Sequence, residues 1–197
     1  MSIRLIIELQ APAHIGTGAE ERGRTDAAFV KDANGTPRIP GSSLKGLLRD
    51  RARLLEPVLS VRNHVLAGMT DRVFGRTGAD GGTWQFTSAR PVGDVCLAIS
   101  THASIDPATG RVADELLFDA EVVDEGTFAC KIEPADGADI DPLEEAFVIA
   151  CALSLERLGH RRRRGWGRCR TRCETDGGTQ AVDVEDLRQR LLGGVTS

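Results

Sequence analysis

Alternating apolar and polar positions at the start of the chain predict a first β-strand. Ile3, Leu5, Ile7 and Leu9 recur with a period of two, and Ile6 adds an apolar side chain on the opposite face. We therefore predict a strand over residues 2–10 that is buried on both faces. Further strands are predicted from weaker alternation over residues 84–89, 94–101, 116–123, 127–133 and 164–174.

Helical periodicity occurs at three places. The first helix is predicted over residues 43–56, with Ser42 as its N-cap and Pro57 closing it. A second begins after the cap Asp141, with Glu144 completing a capping box, and runs to Gly159. A short terminal helix is predicted over residues 184–192, whereas residues 58–83 give no clear pattern.

The order of these elements predicts one α+β domain over residues 1–197. The turn sequence Asp124-Glu125-Gly126 lies between two predicted strands and indicates a β-hairpin. Strands and helices in this order are typical of an antiparallel sheet with helices on one face. A long irregular segment over residues 11–40 is expected to be either functional or disordered, with Asp32 shaping the turn at Asn34-Gly35.

Charge and composition limit the function classes. The net charge is −4, so any binding of nucleic acid must come from local basic clusters. Aromatic residues make up only 4% of the chain, which argues against recognition through many stacked bases. Five scattered cysteines suggest a reduced, cytoplasmic protein, and we expect neither a signal peptide nor a membrane span.

Two basic, glycine-containing segments are candidate phosphate sites. After Pro40-Gly41, the start of the first helix presents hydroxyls and cations together: Ser42, Ser43, Lys45 and Arg49. This segment lacks the Gly-Lys-Ser/Thr ending of a nucleotide P-loop, so ATP or GTP binding is not predicted. The second segment places an arginine run between a helix end and a strand: Arg161, Arg162, Arg163, Arg164, Gly165 and Gly167. Two such segments suggest an extended polyanion as the ligand.

Several motifs, in their order and spacing, resemble those of a known family. They extend over most of the chain, as follows: Ala13-His14-Ile15-Gly16, residues 24–32, Ile39-Pro40-Gly41-Ser42-Ser43-Leu44-Lys45-Gly46, Val73-Phe74-Gly75, residues 104–110, residues 117–123 and Leu158-Gly159-His160-Arg161. On these motifs the chain resembles RAMP-superfamily (repeat-associated mysterious protein) subunits that form the RNA-binding backbone of type III CRISPR effector complexes. The terminal loop departs from the family, because His160 follows Gly159 where consecutive glycines are usual.

The resemblance implies a fold, partners and site residues. It implies a ferredoxin-like sheet with long loop insertions and a β-hairpin thumb within residues 102–118. Copies would stack along a guide RNA beside other CRISPR effector subunits and hold target RNA. Asp26 would be the catalytic residue, working with a divalent metal, Mg²⁺, while Lys45 and Arg49 would contact guide RNA. His14 would have a binding role in its loop.

Other interpretations remain open from the residues alone. One is a structural RNA-binding subunit without catalysis, and another is a stand-alone nuclease that processes guide RNA. The histidines that could serve such a nuclease show no local pairing in the sequence. Cys169, Cys173 and His160 lack an obvious fourth zinc ligand, so structural zinc is not predicted. Trp166 is interpreted as a packing residue rather than a base-stacking platform.

Overall fold

The computed structural model describes residues 2–16, 27–76, 81–105, 112–160, 165–175 and 180–193. Among these residues, no helix is both long enough and apolar enough to cross a membrane. The elements in chain order are β1 (Ile3–Leu9), α1 (Gly41–Ser60), a 3₁₀ turn (His64–Leu66), α2 (Met69–Phe74), β2 (Trp84–Phe86), β3 (Arg90–Pro91), β4 (Leu97–Ile105), β5 (Val112–Val123), β6 (Gly126–Pro134), α3 (Pro142–Leu153), β7 (Cys169–Thr175), β8 (Gln180–Ala181) and α4 (Val184–Leu192).

The main sheet has β1 at its centre. The strand order is β2-β6-β1-β7-β8, with β3 also paired to β6, and every pairing is antiparallel. Leu5 lies opposite Cys130 of β6 on one side and Cys173 of β7 on the other. The predicted α+β class is confirmed, and this strand order is compatible with the ferredoxin-like arrangement.

The helices cover one face of this sheet because its strands alternate. Ile3, Leu5 and Ile7 of β1 are fully buried, whereas Arg4 and Glu8 lie on the opposite face. Helices α1 and α3 pack on the apolar face and against each other. Ile6 is also buried, although it belongs to the other face. The core under the helices includes Leu44, Leu48, Trp84, Phe128, Ile132, Phe147, Ile149 and Leu158.

The predicted hairpin across residues 124–126 is wrong, although both of its strands exist. β5 pairs with β4 in a separate two-stranded sheet, and β6 pairs with β1. The physical reason is burial. When β6 pairs with β1, its side chains Phe128, Cys130 and Ile132 complete the core. Pairing with β5 would not place them there. The β4–β5 pair contains the region predicted as the thumb, whose tip at 106–111 lies outside the described residues.

Helix boundaries follow the prediction in part. α1 starts at Gly41 with Pro40 as its cap, so Ser42 is already helical, and it continues through Pro57 to Ser60. Asp141 caps α3 as predicted, because its side chain accepts from the amide of Leu143. α3 ends at Leu153 and not at Gly159. Helix α4 has the predicted bounds.

Candidate nucleic-acid interface

A groove of about 610 Å³ lies between the first half of α1 and two loop segments. One wall is the exposed face of α1. The other is built from the loop after β1 and the loop after α3, which are far apart in the sequence. The residues that line the groove are Ile15, Gly16, Ile39, Ser43, Gly46, Leu47, Arg49, Asp50, Arg53, Gly159 and His160.

The start of α1 is held close to β2. Gly41 is buried, and a Cβ atom at this position would lie 2.0 Å from the carbonyl oxygen of Phe86. No side chain caps the helix, and its first turn contains no acid. The positive end of the helix dipole therefore has no acid beside it in the first turn, and the amide of Gly41 donates to the Ser88 hydroxyl at 3.4 Å. Ser43 lines the groove, whereas Ser42, although exposed, does not.

Arg49 serves the fold as well as the groove. Its Nη2 atom donates to the carbonyl oxygens of Phe74 and Gly75, at the C-terminal end of α2. These contacts place a cation at the negative end of that short helix. Arg49 also lines the groove. Lys45 does not line it, and burial, followed by the nearby charge of Arg49, lowers the pKa of Lys45.

Arg53 is a groove cation that was not among the predicted site residues. It lines the groove one helical turn beyond Arg49, and its nearest acid is Asp50 at 3.6 Å. Both side chains are more than half exposed, so this ion pair is weak and Arg53 remains available to a ligand. The sequence signal was the spacing of four residues from Arg49, which puts both on one helix stripe.

The second wall depends on backbone contacts between two loops. The amide of His160 donates to the carbonyl oxygen of His14 at 2.9 Å, and the amide of Gly167 donates to that of Pro12. Gly159 has a φ of +78°, and a Cβ there would lie 2.3 Å from the His14 carbonyl oxygen. Only glycine fits this conformation and this approach.

His14 supports the groove from behind. It is buried and does not line the groove. Its Nδ1 atom lies 2.7 Å from the carbonyl oxygen of Glu121, so this nitrogen carries the hydrogen and donates it. Its ring lies 5.7 Å, centroid to centroid, from the exposed ring of His160. The sequence showed no pairing of histidines because 146 positions separate these two.

Glu121 of β5 fixes the segment that follows Asp26. Its carboxylate accepts from the amide of Phe29 at 2.9 Å and from Lys31 Nζ at 2.8 Å. The backbone amide of Glu121 donates to the carbonyl oxygen of Ala27, and the amide of Ala27 donates to the backbone carbonyl oxygen of Asp119. Residues 27–31 are thus attached to β5. Asp26 itself lies outside the described residues.

The predicted role of Asp32 as a turn residue is confirmed. Its Oδ1 atom accepts from the amides of Asn34 and Thr36, and these hydrogen bonds lower the pKa of its carboxyl group. Arg161, Arg162, Arg163 and Arg164 lie outside the described residues, so their contribution stays a prediction. Gly165 and Gly167 are described, and both have a positive φ in the turn that leads into β7.

Cys169 and Cys173 are buried on the core side of β7. Burial raises the pKa of each thiol to about 12, which keeps both protonated and disfavours them as metal ligands. Within the described ranges, no three side chains of His, Cys, Asp or Glu converge on a point where they could hold a metal ion.

The groove brings together groups that suit phosphate. It combines a serine hydroxyl, two guanidinium groups, an imidazole and exposed glycine backbone, with Asp50 as its acid among the described lining residues. Such groups bind the sugar–phosphate backbone without reading sequence. Five large aromatic side chains, Phe29, Phe74, Trp84, Phe128 and Phe147, are buried, whereas Phe86, Phe118 and Trp166 are partly exposed but do not line the groove.

Comparisons with known proteins bear on the family and the fold. The RAMP superfamily model matches residues 6–170. No curated protein sequence matches the chain. A chain in a cryo-EM structure of type III-B Cmr-beta bound to cognate target RNA superposes with a TM-score of 0.67 at 13% identity, covering 88% of this chain and 97% of the other.

A second similar chain comes from the apo state of type III-B Cmr-beta. It superposes with a TM-score of 0.68 at 14% identity, covering 89% of this chain and 98% of the other. At these identities the superpositions show a shared fold. Since the family model covers most of its length, this chain belongs to the RAMP superfamily.

Proposed function

We propose that this protein is a guide-RNA-binding backbone subunit of a type III CRISPR interference complex, and that it cleaves bound target RNA. The groove between α1 and the two loops is the observation that carries this proposal. It is open, it contains Arg49, Arg53 and His160, and it has room for a sugar–phosphate strand. The similar Cmr-beta chain belongs to an assembly bound to cognate target RNA, which supports the same ligand class.

Phosphate contacts are enough for this role. In RNA-guided recognition the guide reads the target by base pairing, so the protein mainly holds the backbone in position. A groove lined by cations and glycine, with no phenylalanine or tryptophan among its described lining residues, suits that task. Lys45 and the arginines 161–164 would add further phosphate contacts at its borders.

The β4–β5 pair is proposed as the thumb. These strands form a two-stranded sheet apart from the main one, and Val123 and Ala120 tie its base to residues 13 and 27. A projecting hairpin of this kind could wedge between segments of the guide–target duplex. Copies of the chain along the guide, with other effector subunits, would then divide the duplex into repeated units.

Asp26 is proposed as the catalytic residue. It immediately precedes Ala27, which is attached to β5 at the base of the thumb. A carboxylate there could hold Mg²⁺ or orient the ribose 2′-hydroxyl toward the neighbouring phosphorus. The metal would supply charge stabilisation at the phosphate, and water and phosphate oxygens would complete its shell.

The test is the Asp26→Ala variant assembled with its guide and partner subunits. We expect guide and target binding to be retained and Mg²⁺-dependent cutting of target RNA to be lost. Asp94→Ala, at an exposed position in a loop, is the matched control and should cut normally. Undiminished cutting by Asp26→Ala would remove Asp26 from the mechanism. A wild-type complex that binds but never cuts would instead identify a structural subunit.

A stand-alone processing nuclease is the second candidate, and the His14–His160 pair favours it. The two rings are adjacent, and His160 faces the groove where an RNA strand would lie. Paired imidazoles could serve as general acid and base. The isolated protein incubated with repeat RNA tests this candidate. Specific cutting that disappears in His160→Ala would support it, and intact RNA would reject it.

A further inference from the structure

A second cationic depression lies on the face of the main sheet opposite α1 and α3. It has a volume of about 450 Å³ and is lined by side chains from three different strands. Arg4 of β1, Arg90 of β3 and Lys131 of β6 contribute the cations, and Thr87 and Ser88 lie beside them. No carboxylate occurs among the described residues that line it.

The strand register places two of these cations side by side, while Glu174 of β7 balances Arg4 from the other side. Arg4 is directly opposite Lys131 in the antiparallel β1–β6 pair. Like charges directly opposite each other destabilise a sheet, where an acid and a base would stabilise it. Lys131 and Arg90 are both about two-thirds exposed, so neither is needed to fill the core.

Each cation has an acidic neighbour, but none of these acids enters the depression. Arg4 contacts Glu174 at 3.0 Å, Arg90 contacts Asp32 at 3.2 Å, and Lys131 lies 3.7 Å from Glu133. The cations themselves are 41%, 69% and 67% exposed, whereas Glu174 and Asp32 are largely buried. An anion in the depression could therefore approach all three cations without unfolding the sheet.

The depression lies beside the groove described above. Ile39, which lines the groove, forms two backbone hydrogen bonds with Ala89. The residues on either side of Ala89, Ser88 and Arg90, line the depression. The Ser88 hydroxyl also accepts from Arg38 in the turn before α1. One paired segment thus separates the two cavities.

We propose that this depression is a phosphate-binding site. Three cations and two hydroxyls around an acid-free concavity match the charge and the acceptors of a phosphate group. The group could belong to a free phosphate compound or to a phosphodiester of an RNA strand that continues past α1. The proposal goes beyond the groove, because it involves different residues and does not require the groove to bind.

The experiment uses the full-length chain and two double variants of equal charge change. Arg90→Gln with Lys131→Gln removes two cations from the depression. Arg170→Gln with Arg172→Gln is the control, because both lie on the same open face but do not line the depression. Thermal unfolding should be nearly the same for all three proteins, since the changed side chains are exposed.

Two ligands distinguish the two sources of phosphate. Pyrophosphate is titrated while the amide resonances of Arg90 and Lys131 are followed by NMR. An oligoribonucleotide without terminal phosphates is titrated over a range of salt concentrations. If RNA is the source, the salt slope of its binding should fall by about 1.4 in the depression variant, since each phosphate contact on a single strand contributes about 0.7. The control should change less.

If a free phosphate compound is the source, pyrophosphate should shift the depression resonances to saturation, and the RNA slope should stay unchanged. The proposal is overturned if pyrophosphate leaves these resonances in place and the two double variants weaken RNA binding equally. A chain that binds pyrophosphate here but fails to bind RNA would contradict the proposed function alone.

Discussion

Two glycines near the start of α1 show opposite environments at the scale of single residues. Gly41 is buried against the carbonyl oxygen of Phe86, where a Cβ would come within 2.0 Å. Gly46 is exposed in the groove, and a Cβ there would have no neighbour within 4 Å among the described residues. Glycine is therefore required at position 41 by packing, whereas at position 46 the fold leaves space for a side chain or a ligand.

We predict opposite effects for alanine at these two positions. Gly41→Ala should destabilise the protein by about 2 kcal/mol or more, because the helix must move away from β2. Gly46→Ala should stabilise it by about 0.5–1 kcal/mol, the usual gain of alanine over glycine in a helix. Urea unfolding of both variants measures this, and a loss of stability in Gly46→Ala would contradict it.

Gly46 also bears on what the sequence could and could not predict. The sequence places this glycine within a predicted helix, where a glycine often indicates close packing against another segment. The structure has open space there, so the room is available to a ligand. Gly41 makes the close approach instead. Its partner lies 45 residues away, and such a contact leaves no local signal.

At the scale of elements, local patterns predicted where strands and helices occur better than which strands pair. β1 and α4 were predicted well because alternation and capping are local properties. The pairing of β6 with β1, and not with β5, depends on which surface completes the core. A turn sequence carries no information about that.

Helix α3 gives a second example. Asp141 caps it as predicted, but Glu144 does not complete a capping box. Its fully buried carboxylate accepts from the indole Nε1 of Trp84 at 3.0 Å and from the hydroxyl of Thr83, and Arg72 Nε lies 2.9 Å away. Arg72 and Thr83 come from the region that gave no sequence pattern, and Trp84 from the start of a predicted strand, so local signals could not predict the role of Glu144.

The cysteines lead to a prediction about the core faces of these elements. Cys130, Cys151, Cys169 and Cys173 are buried, whereas Cys96 is exposed. Burial raises the pKa of Cys130 to about 12 and that of Cys151 even further. At about pH 8 a thiol reagent should modify only Cys96 in the folded protein and all five cysteines after unfolding.

The same shifts predict how stability depends on pH. In the unfolded chain these thiols ionise near pH 8.5, while in the folded protein they stay protonated to about pH 12. The protonated thiols contribute their full share to the free energy of unfolding below about pH 8.5. This share is lost as the pH rises from there through the folded pKa, by about 1.4 kcal/mol per pH unit for each thiol. Urea unfolding from about pH 8 to 10.5 checks this, and constant stability would contradict it.

At the scale of the whole molecule, charge is distributed unevenly. The chain has a net charge of −4, yet cations line both the groove and the depression on the open sheet face. The sequence predicted the basic helix stripe that forms one wall of the groove. It could not predict that the loops containing Gly16 and His160 meet to form the other wall, since that depends on the complete fold.

The most direct test of the groove is cross-linking of the full-length protein to single-stranded RNA that contains thiouridine, with the modified residues mapped by mass spectrometry. We expect adducts within residues 43–53 and at His160 with the arginines that follow it, and we expect them to diminish when Arg53 and His160 are both changed to alanine. Adducts confined to α4 or to residues 54–60 of α1, with none in the groove, would contradict the account.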